Sequence, residues 1–430
     1  MTLSTVRSVS NSIPHSPTLL IVALGTSIRL IHIIFLYVLS RILPPFDSSH
    51  TLLSARNLPG LRWDAVHFVS IAEHGYTHEQ QLAFQPLFMA LLRITGECSA
   101  WVRGGGGEVD VGDIVWGGMG VSAVVWVGAS IMLYKLTNHL YNPKFALLTT
   151  LLYLLPPSPV PSLPYTEPLY ALTTFSGMYF LVVRRQYMLC GVLFACSTGM
   201  RATGIFNVLV LSGVGVLEGV TVKSMTAQGL IRRIITRSYR LIIPCLLPIS
   251  PFLLFQWYAY HSFCVEKTED RRPWCESRLP FAYGFVQKEY WNIGFLNYWT
   301  ISNIPNILLP LPIFLVSFWG IKRYLGYIRQ TTNIPQPQRS ELLVLYIHHT
   351  IMILLLLLNS HTQILLRTCV TDPVIWWNIA GMAVNWQDQL STDGKRGTLR
   401  LTKIGKYWIG WCVVWSMVSS MLWVGHYPPA

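Results

Sequence analysis

Apolar runs recur along this chain at about residues 18–42, 114–136, 144–156, 168–183, 187–200, 202–217, 241–263, 304–321, 342–358, 370–386 and 407–425. A helix needs roughly 20 apolar residues to cross a bilayer, and inside the hydrocarbon its backbone polar groups must be satisfied within the segment. Such a chain is predicted to be an all-α polytopic bundle of about 11 spans. The composition agrees, with 52% hydrophobic and only 12% charged residues. The whole chain, 1–430, reads as one integral-membrane domain. Its first run is long, contains Arg29 and lacks a small-residue cleavage site, so it reads as a retained anchor rather than a signal peptide.

The formal charge of +13 would suit a nucleic-acid partner if it were concentrated on one exposed face. Its distribution instead follows the bilayer. With a cytosolic N-terminus, the cytosolic loops and helix ends hold nineteen of the 32 Lys and Arg residues against four of the 19 acids. The other side holds twelve against fifteen, and Arg29 lies in the first run. This is the positive-inside bias of an oriented membrane protein, and no nucleic-acid partner is predicted. Two large loops, 43–113 and 264–303, fall on the non-cytosolic side. No internal repeat is evident, which argues against a transporter built from inverted halves.

The first large loop carries Arg62-Trp63-Asp64-Ala65-Val66-His67-Phe68, continuing to Glu73-His74-Gly75-Tyr76. Ala65, Phe68, Val69 and Ala72 recur at helical spacing, and Gly75 suits a C-terminal stop. Asp64 opens this helix. It is suited to an N-cap, and equally to a general base taking a proton from a sugar hydroxyl. His67 stands three residues on, within reach of Asp64 on a helix. A second segment, with Ala83, Leu87, Ala90, Leu91 and Ile94 along one face, begins near Pro86. Both helices are expected in or on the membrane interface. Arg103-Gly104-Gly105-Gly106-Gly107 reads as a flexible tether. His74 and His78 have metal-ligand spacing, but Gly75 interrupts their helix, so no metal site is predicted.

Elsewhere, Glu167 follows a proline-rich turn, Arg201 sits at the bend between two short runs, and His361, Gln363 and Arg367 follow the ninth run. By the charge-derived topology these residues, with Asp64 and Trp291, share the non-cytosolic face. Ionisable groups from distant segments converging there suggest a site. The aromatic-rich 264–303 loop suits either an interfacial belt or a carbohydrate-facing cap. Cys264 and Cys275 within it are a candidate bridge in an oxidising compartment. Arg29 is suited to snorkelling or to a lipid phosphate, and His348-His349 to joining helices.

The Arg62–Tyr76 block resembles the signature of the PIG-V family of mannosyltransferases. Glu79, Phe84 and Pro86 fit it, as do Thr166–Leu172, Arg201–Gly204, Pro273-Trp274-Cys275, Tyr290–Leu296, Pro305–Leu309 and His361–Arg367. The chain departs from the family's usual residues at Gln85 and Leu87, at Thr166 and Pro168, and at Ala202 and Thr203. The resemblance implies a GT-C type multi-span bundle in the endoplasmic-reticulum membrane, with lumenal loop helices over a lumenal site and a cytosolic N-terminus. It implies inverting transfer of the second, α1,6-linked mannose from dolichyl-phosphate mannose to the GPI precursor, without a metal or other cofactor. The partners would be these two lipids and the bilayer, with a small membrane accessory subunit as a further candidate.

In this reading Asp64 is the base and His67 its orienting neighbour. The substrate-binding candidates are Trp63, Glu73, His74, Glu167, Arg201, Trp291, Asn292, His361, Gln363 and Arg367. Arg201 and Arg367 would grip the donor phosphate, or else pair with acids such as Glu167 or Asp372. The competing classes are a transferase of the N-glycan or O-mannosylation pathways, distinguished by its acceptor, and a lipid transporter or scramblase. The latter would place ionisable groups near mid-membrane and repeat its halves. An inactive scaffold of the GPI pathway is disfavoured by the retained Trp63-Asp64.

Overall fold

The structure, a computed structural model, describes residues 16–46, 58–104, 109–218, 226–266, 272–330, 336–384 and 401–427. The described part is helical, with no strand among the described residues. Its helices are α1 (Pro17–Ile42), α2 (Asp64–His74), α3 (Pro86–Val102), α4 (Val111–Leu140), α5 (Pro143–Tyr153), α6 (Thr166–Val182), α7 (Tyr187–Met200) and α8 (Asn207–Leu217). There follow α9 (Ala227–Tyr260), α10 (Ala282–Glu289), α11 (Ile304–Leu308), α12 (Leu311–Gln330), α13 (Gln336–Asn359), α14 (Leu365–Thr368), α15 (Pro373–Ala383) and α16 (Lys403–Val424).

Each predicted run is at least partly helical, but the runs are not equally long. Five helices among the described residues are long and apolar enough to cross a membrane, or six if the bent pair α11–α12 is one span. The chain is thus a multi-pass membrane protein, and the expected count of about 11 is not matched by full-length helices. Helices α5, α7, α8 and α15 are 11 to 14 residues long. Helix α15 is buried on every side, from Pro373 to Gly381, as expected of an apolar helix inside a bundle.

Two expectations change. Helix α2 buries its apolar face in the protein itself: Ala65, Val66, Phe68, Val69, Ile71 and Ala72 are all buried, and it packs on α3 and α4. Helix α3 retains an exposed apolar flank of Leu87, Ile94, Trp101 and Val102. It meets α4 closely, since a Cβ on Gly117 would lie 2.5 Å from the Thr95 carbonyl oxygen. Small residues permit such backbone approach. Arg29 neither snorkels nor reaches a surface. It is buried, donating to Ser162 Oγ (3.3 Å) and the Leu154 carbonyl (3.2 Å), which braces α1 against the proline-rich segment. The glycine tether is described only through Gly104, and of the charged stretch after Cys264 residues 267–271 lie outside the described residues.

Helices α6 and α7 lie side by side and run between two clusters of charge. At one end, the turn joining them carries Arg185, paired with Glu341 and 3.6 Å from Glu218. Glu218 also accepts from Arg237 Nη1 (2.9 Å) and the Tyr187 hydroxyl (2.9 Å). At the other end lie Glu167, in the first turn of α6, and Arg201, just after α7. Helix α6 separates the two ends by about 25 Å. Of the two histidines, His349 joins helices: its Nδ1 lies 2.6 Å from Asp372 Oδ2, linking α13 to the start of α15.

Candidate active site

The Arg62-Trp63-Asp64 motif divides its labour. The Arg62 guanidinium is buried and donates to the carbonyls of Val424 (3.1 Å) and Leu61 (2.8 Å). It pins the entry of α2 to the end of α16. Trp63 has a positive φ of 54°, an uncommon state outside glycine, and marks the sharp bend into α2. Its ring meets His426 edge-on at 4.9 Å, so the structure gives Trp63 a packing role against the C-terminal segment.

Asp64 is the first helical residue rather than the N-cap, and no side chain caps the helix. Its Oδ2 accepts from Arg367 Nη1 at 2.7 Å. Arg367 Nε lies 4.0 Å from Glu167 Oε1. Glu167 Oε1 in turn accepts from Arg201 Nη1 at 2.6 Å, and that nitrogen also donates to Thr166 Oγ1 at 3.0 Å. Four charges from α2, α6, the end of α7 and α14 thus form one alternating array. The expected convergence of Asp64, Glu167, Arg201 and Arg367 is present. Arg201 pairs with Glu167, one of the acids named as an alternative to phosphate, whereas Arg367 pairs with Asp64, an acid not named for it. Tyr165, which the sequence did not single out as a site residue, lies under the Arg367 guanidinium at 5.3 Å from the ring centre. Burial would lower the Arg367 pKa, but Asp64, Tyr165 and Glu167 outweigh it and hold the guanidinium above its ordinary value.

His67 does not hold Asp64. Its ring packs on Phe84 (5.6 Å) and meets Trp291 edge-on (6.0 Å). Burial lowers its pKa below the ordinary 6.5, with Asp64 opposing that shift and His78 adding to it. The wall continues through the second large loop. His361 Nε2 lies 2.9 Å from the Trp291 carbonyl, and the His361 ring stacks on Tyr298 at 4.6 Å. The Tyr298 hydroxyl donates to Gln363 Oε1 at 3.0 Å. His361 and Gln363 therefore anchor this loop to the segment that carries Arg367. Asn292 has a φ of 49°, a backbone state that Asn tolerates better than most residues; it turns the chain immediately after Trp291. Cys264 and Cys275 are disulfide-bonded, which closes the base of the loop.

Glu73 and His74 are not brought to this array. They pair with each other at 3.4 Å, at the opposite end of α2 and about 14 Å along its axis from Asp64. Among the described residues no group of three or more His, Cys, Asp or Glu side chains is placed to hold a metal ion. The site therefore offers a part-exposed carboxylate, two guanidinium groups and an aromatic wall. These are the elements for taking a proton from a hydroxyl while stabilising an anionic leaving group.

The sequence profile of a family described as Mannosyltransferase (PIG-V) matches residues 34–430. A "GPI mannosyltransferase 2" of Cryptococcus neoformans var. neoformans serotype D is 42% identical over 426 residues, covering 96% of this chain and 99% of the relative. A protein of the same name from Yarrowia lipolytica is 30% identical, over 92% and 96% of the two chains. The human "GPI alpha-1,6-mannosyltransferase 2" is 29% identical, over 73% and 71%. Among solved structures, the Archaeoglobus fulgidus oligosaccharyltransferase tethered with an acceptor peptide aligns with a TM-score of 0.49 at 10% identity. That alignment covers 94% of this chain, which spans 56% of that protein's length.

Proposed function

The chain belongs to the PIG-V family of mannosyltransferases, and we propose that it works by one in-line displacement at the Asp64–Arg367–Glu167–Arg201 array. It transfers the second mannose to the GPI precursor. The linkage is α1,6 and the donor is dolichyl-phosphate mannose. The acceptor hydroxyl oxygen bonds to the anomeric carbon as the bond from that carbon to the phosphate oxygen breaks. The hydroxyl proton passes to Asp64, and the phosphate leaves with the electron pair. A β-linked donor giving an α-linked product inverts that carbon, so one base suffices. Arg201 and Arg367 stabilise the departing phosphate. The fold is of GT-C type, set in the endoplasmic-reticulum membrane with its site toward the lumen and its N-terminus cytosolic.

One observation carries the assignment of the base. Of the two carboxylates in the array, the Glu167 side chain is 0% exposed and the Asp64 side chain 24%. A substrate can reach only Asp64, whose Oδ2 is held by Arg367, leaving Oδ1 in this reading to take the proton. Glu167 is then the buried counter-ion that fixes both arginines.

The test uses membranes lacking the resident enzyme, supplied with the full chain and labelled dolichyl-phosphate mannose. Label should enter an intermediate that carries two mannoses. Asp64→Asn should lower the rate per molecule by about 10²–10⁴-fold, the usual worth of a general base. Transfer near the wild-type rate at equal protein level overturns the assignment of Asp64. Label in an N-glycan precursor or a protein instead overturns the acceptor.

A further inference from the structure

Glu79 lies in a single 3-10 turn, Glu79–Ala83, just beyond α2. The sequence placed it only within a motif and gave it no task. Its side chain is buried, and a buried carboxylate is costly unless it is well paired. Here both oxygens are bonded from the second large loop, about two hundred residues away in sequence. Oε1 accepts from Trp274 Nε1 at 2.6 Å, and Oε2 accepts from the Tyr290 hydroxyl at 2.7 Å. Arg272 Nε is 3.8 Å from Oε1 and supplies a counter-charge. Gln81 fixes the turn itself, its Oε1 accepting from the backbone N–H groups of Thr77 and His78.

Beneath these bonds is a small apolar core of its own: Leu82, Phe255, Phe263, Trp274, Ala282 and Val286. Cys275, next to Trp274, is tied by its disulfide to Cys264, just beyond α9. Tyr290 directly precedes Trp291, whose ring stands against His67 and Phe84 on the α2 side of the array. The 272–303 segment is therefore fastened on two flanks. His361 and Gln363 hold it from the segment that carries Arg367, and Glu79 holds it from the turn beyond α2.

We infer that Glu79 is a positioning residue that latches the second large loop over α2, setting Trp291 as a wall of the acceptor subsite beside Asp64. The acceptor is the substrate concerned, because it is the acceptor hydroxyl that must reach Asp64 while the arginines hold the donor phosphate. The inference thus rests on the proposed assignment of Asp64. Trp291 is half-buried, and an indole is the type of surface that packs against a sugar.

The experiment uses the purified full chain in lipid nanodiscs and compares Glu79→Ala, Glu79→Gln, Tyr290→Phe and the double variant Glu79→Ala/Tyr290→Phe. Glutamine keeps an acceptor for Trp274 and a donor for the Tyr290 oxygen, so Glu79→Gln should stay near wild type. Glu79→Ala should raise the acceptor KM by about 10- to 100-fold, the scale of a small misplacement at a reacting centre, with the donor KM unchanged. The double variant should be no worse than Glu79→Ala, as expected when both residues serve one interaction. Hydrogen exchange supplies a readout independent of activity: amides of 282–299 should exchange faster in Glu79→Ala, while α6 and α7 stay protected. Unchanged exchange in 282–299 overturns the latch. Faster exchange with both KM values unchanged and only less active protein overturns the acceptor-wall role. Faster exchange with a raised donor KM instead would leave the latch standing and place the failure in the assignment of Asp64 to the acceptor side.

Discussion

Arg201 and Arg367 each have a carboxylate partner, which makes their part in phosphate binding a question of what their remaining donors do. Arg201 uses Nη1 for Glu167 and Thr166, and Arg367 uses Nη1 for Asp64. Each keeps nitrogens of a planar fork that a lysine lacks. Arg201→Lys and Arg367→Lys preserve the charge opposite the acids. A charge-assisted hydrogen bond contributes roughly 1.5–3 kcal/mol, so each variant should slow transfer per molecule by about tenfold to a hundredfold and raise the donor KM. Unchanged rate and donor dependence in both would make these arginines counter-ions only. Burial lowers the pKa values of His67 and His361 from 6.5. Both are then neutral at neutral pH and take up a proton only below that value. The rate should show no histidine-type step between pH 8 and about 6.5, and any acid limb that His67→Gln removes should lie below it. A limb centred at or above 6.5 and abolished by His67→Gln would contradict this. The charged members of the site were legible because Asp, Glu and Arg are conspicuous in a chain that is 12% charged. Their partners were not, since pairing depends on how α2, α6 and α14 pack. Glu79 was readable as part of a motif, but nothing local to it points to Trp274 or Tyr290.

At the scale of elements, hydropathy located the helices and misjudged several of their lengths. Helix α9 begins at Ala227 rather than near 241, because its first half carries Arg232, Arg233, Arg237 and Arg240 and reads as a loop to any apolar window. The run predicted at 304–321 is broken, α11 and α12 meeting at 67°, where Pro310, which has no N–H, cannot continue the α11 bonding. The helices α5, α7 and α8 are only 11 to 14 residues long, a length the apolar windows did not resolve, because apolar periodicity records burial whether the cover is lipid or protein. The turn between α6 and α7 offers a test of what such elements contribute away from the site. Arg185 holds the nearly buried Glu341 and lies near Glu218. Arg185→Ala strands Glu341, and removing one member of a buried pair costs about 3–5 kcal/mol. Arg185→Ala should therefore lower the thermal midpoint and the amount of folded protein, while transfer per folded molecule stays at the wild-type rate. An altered rate with unchanged stability would show that this cluster is coupled to the site.

For the whole molecule, the two charge clusters agree with the topology derived from charge counts alone. The clusters were not used in that derivation beyond their place in the count. Asp64, Glu167, Arg201, Trp291, His361 and Arg367 were all assigned to one side of the bilayer, and all lie at one end of the bundle. Arg185, Glu218, Arg237 and Glu341 were assigned to the other side, and they meet at the other end. Helices α6 and α7 join the two ends within one hairpin, so an error of one span in the threading would have split one cluster across the membrane. The structure fixes which of the described residues share an end; the proposal that the Arg185 end faces the cytosol rests on the charge count of the sequence, which assigns nineteen basic residues to that side. Glycosylation acceptor sites report this directly, because they are modified only in the lumen. Sites inserted in the 43–113 and 264–303 loops should be glycosylated in the full-length protein, and sites near residues 230 and 330 should stay bare. The reverse pattern would invert the protein and turn the Asp64 array toward the cytosol. Modification in only one of the two large loops would break the threading itself, because the Glu79 bonds to Trp274 and Tyr290 require both loops on one face.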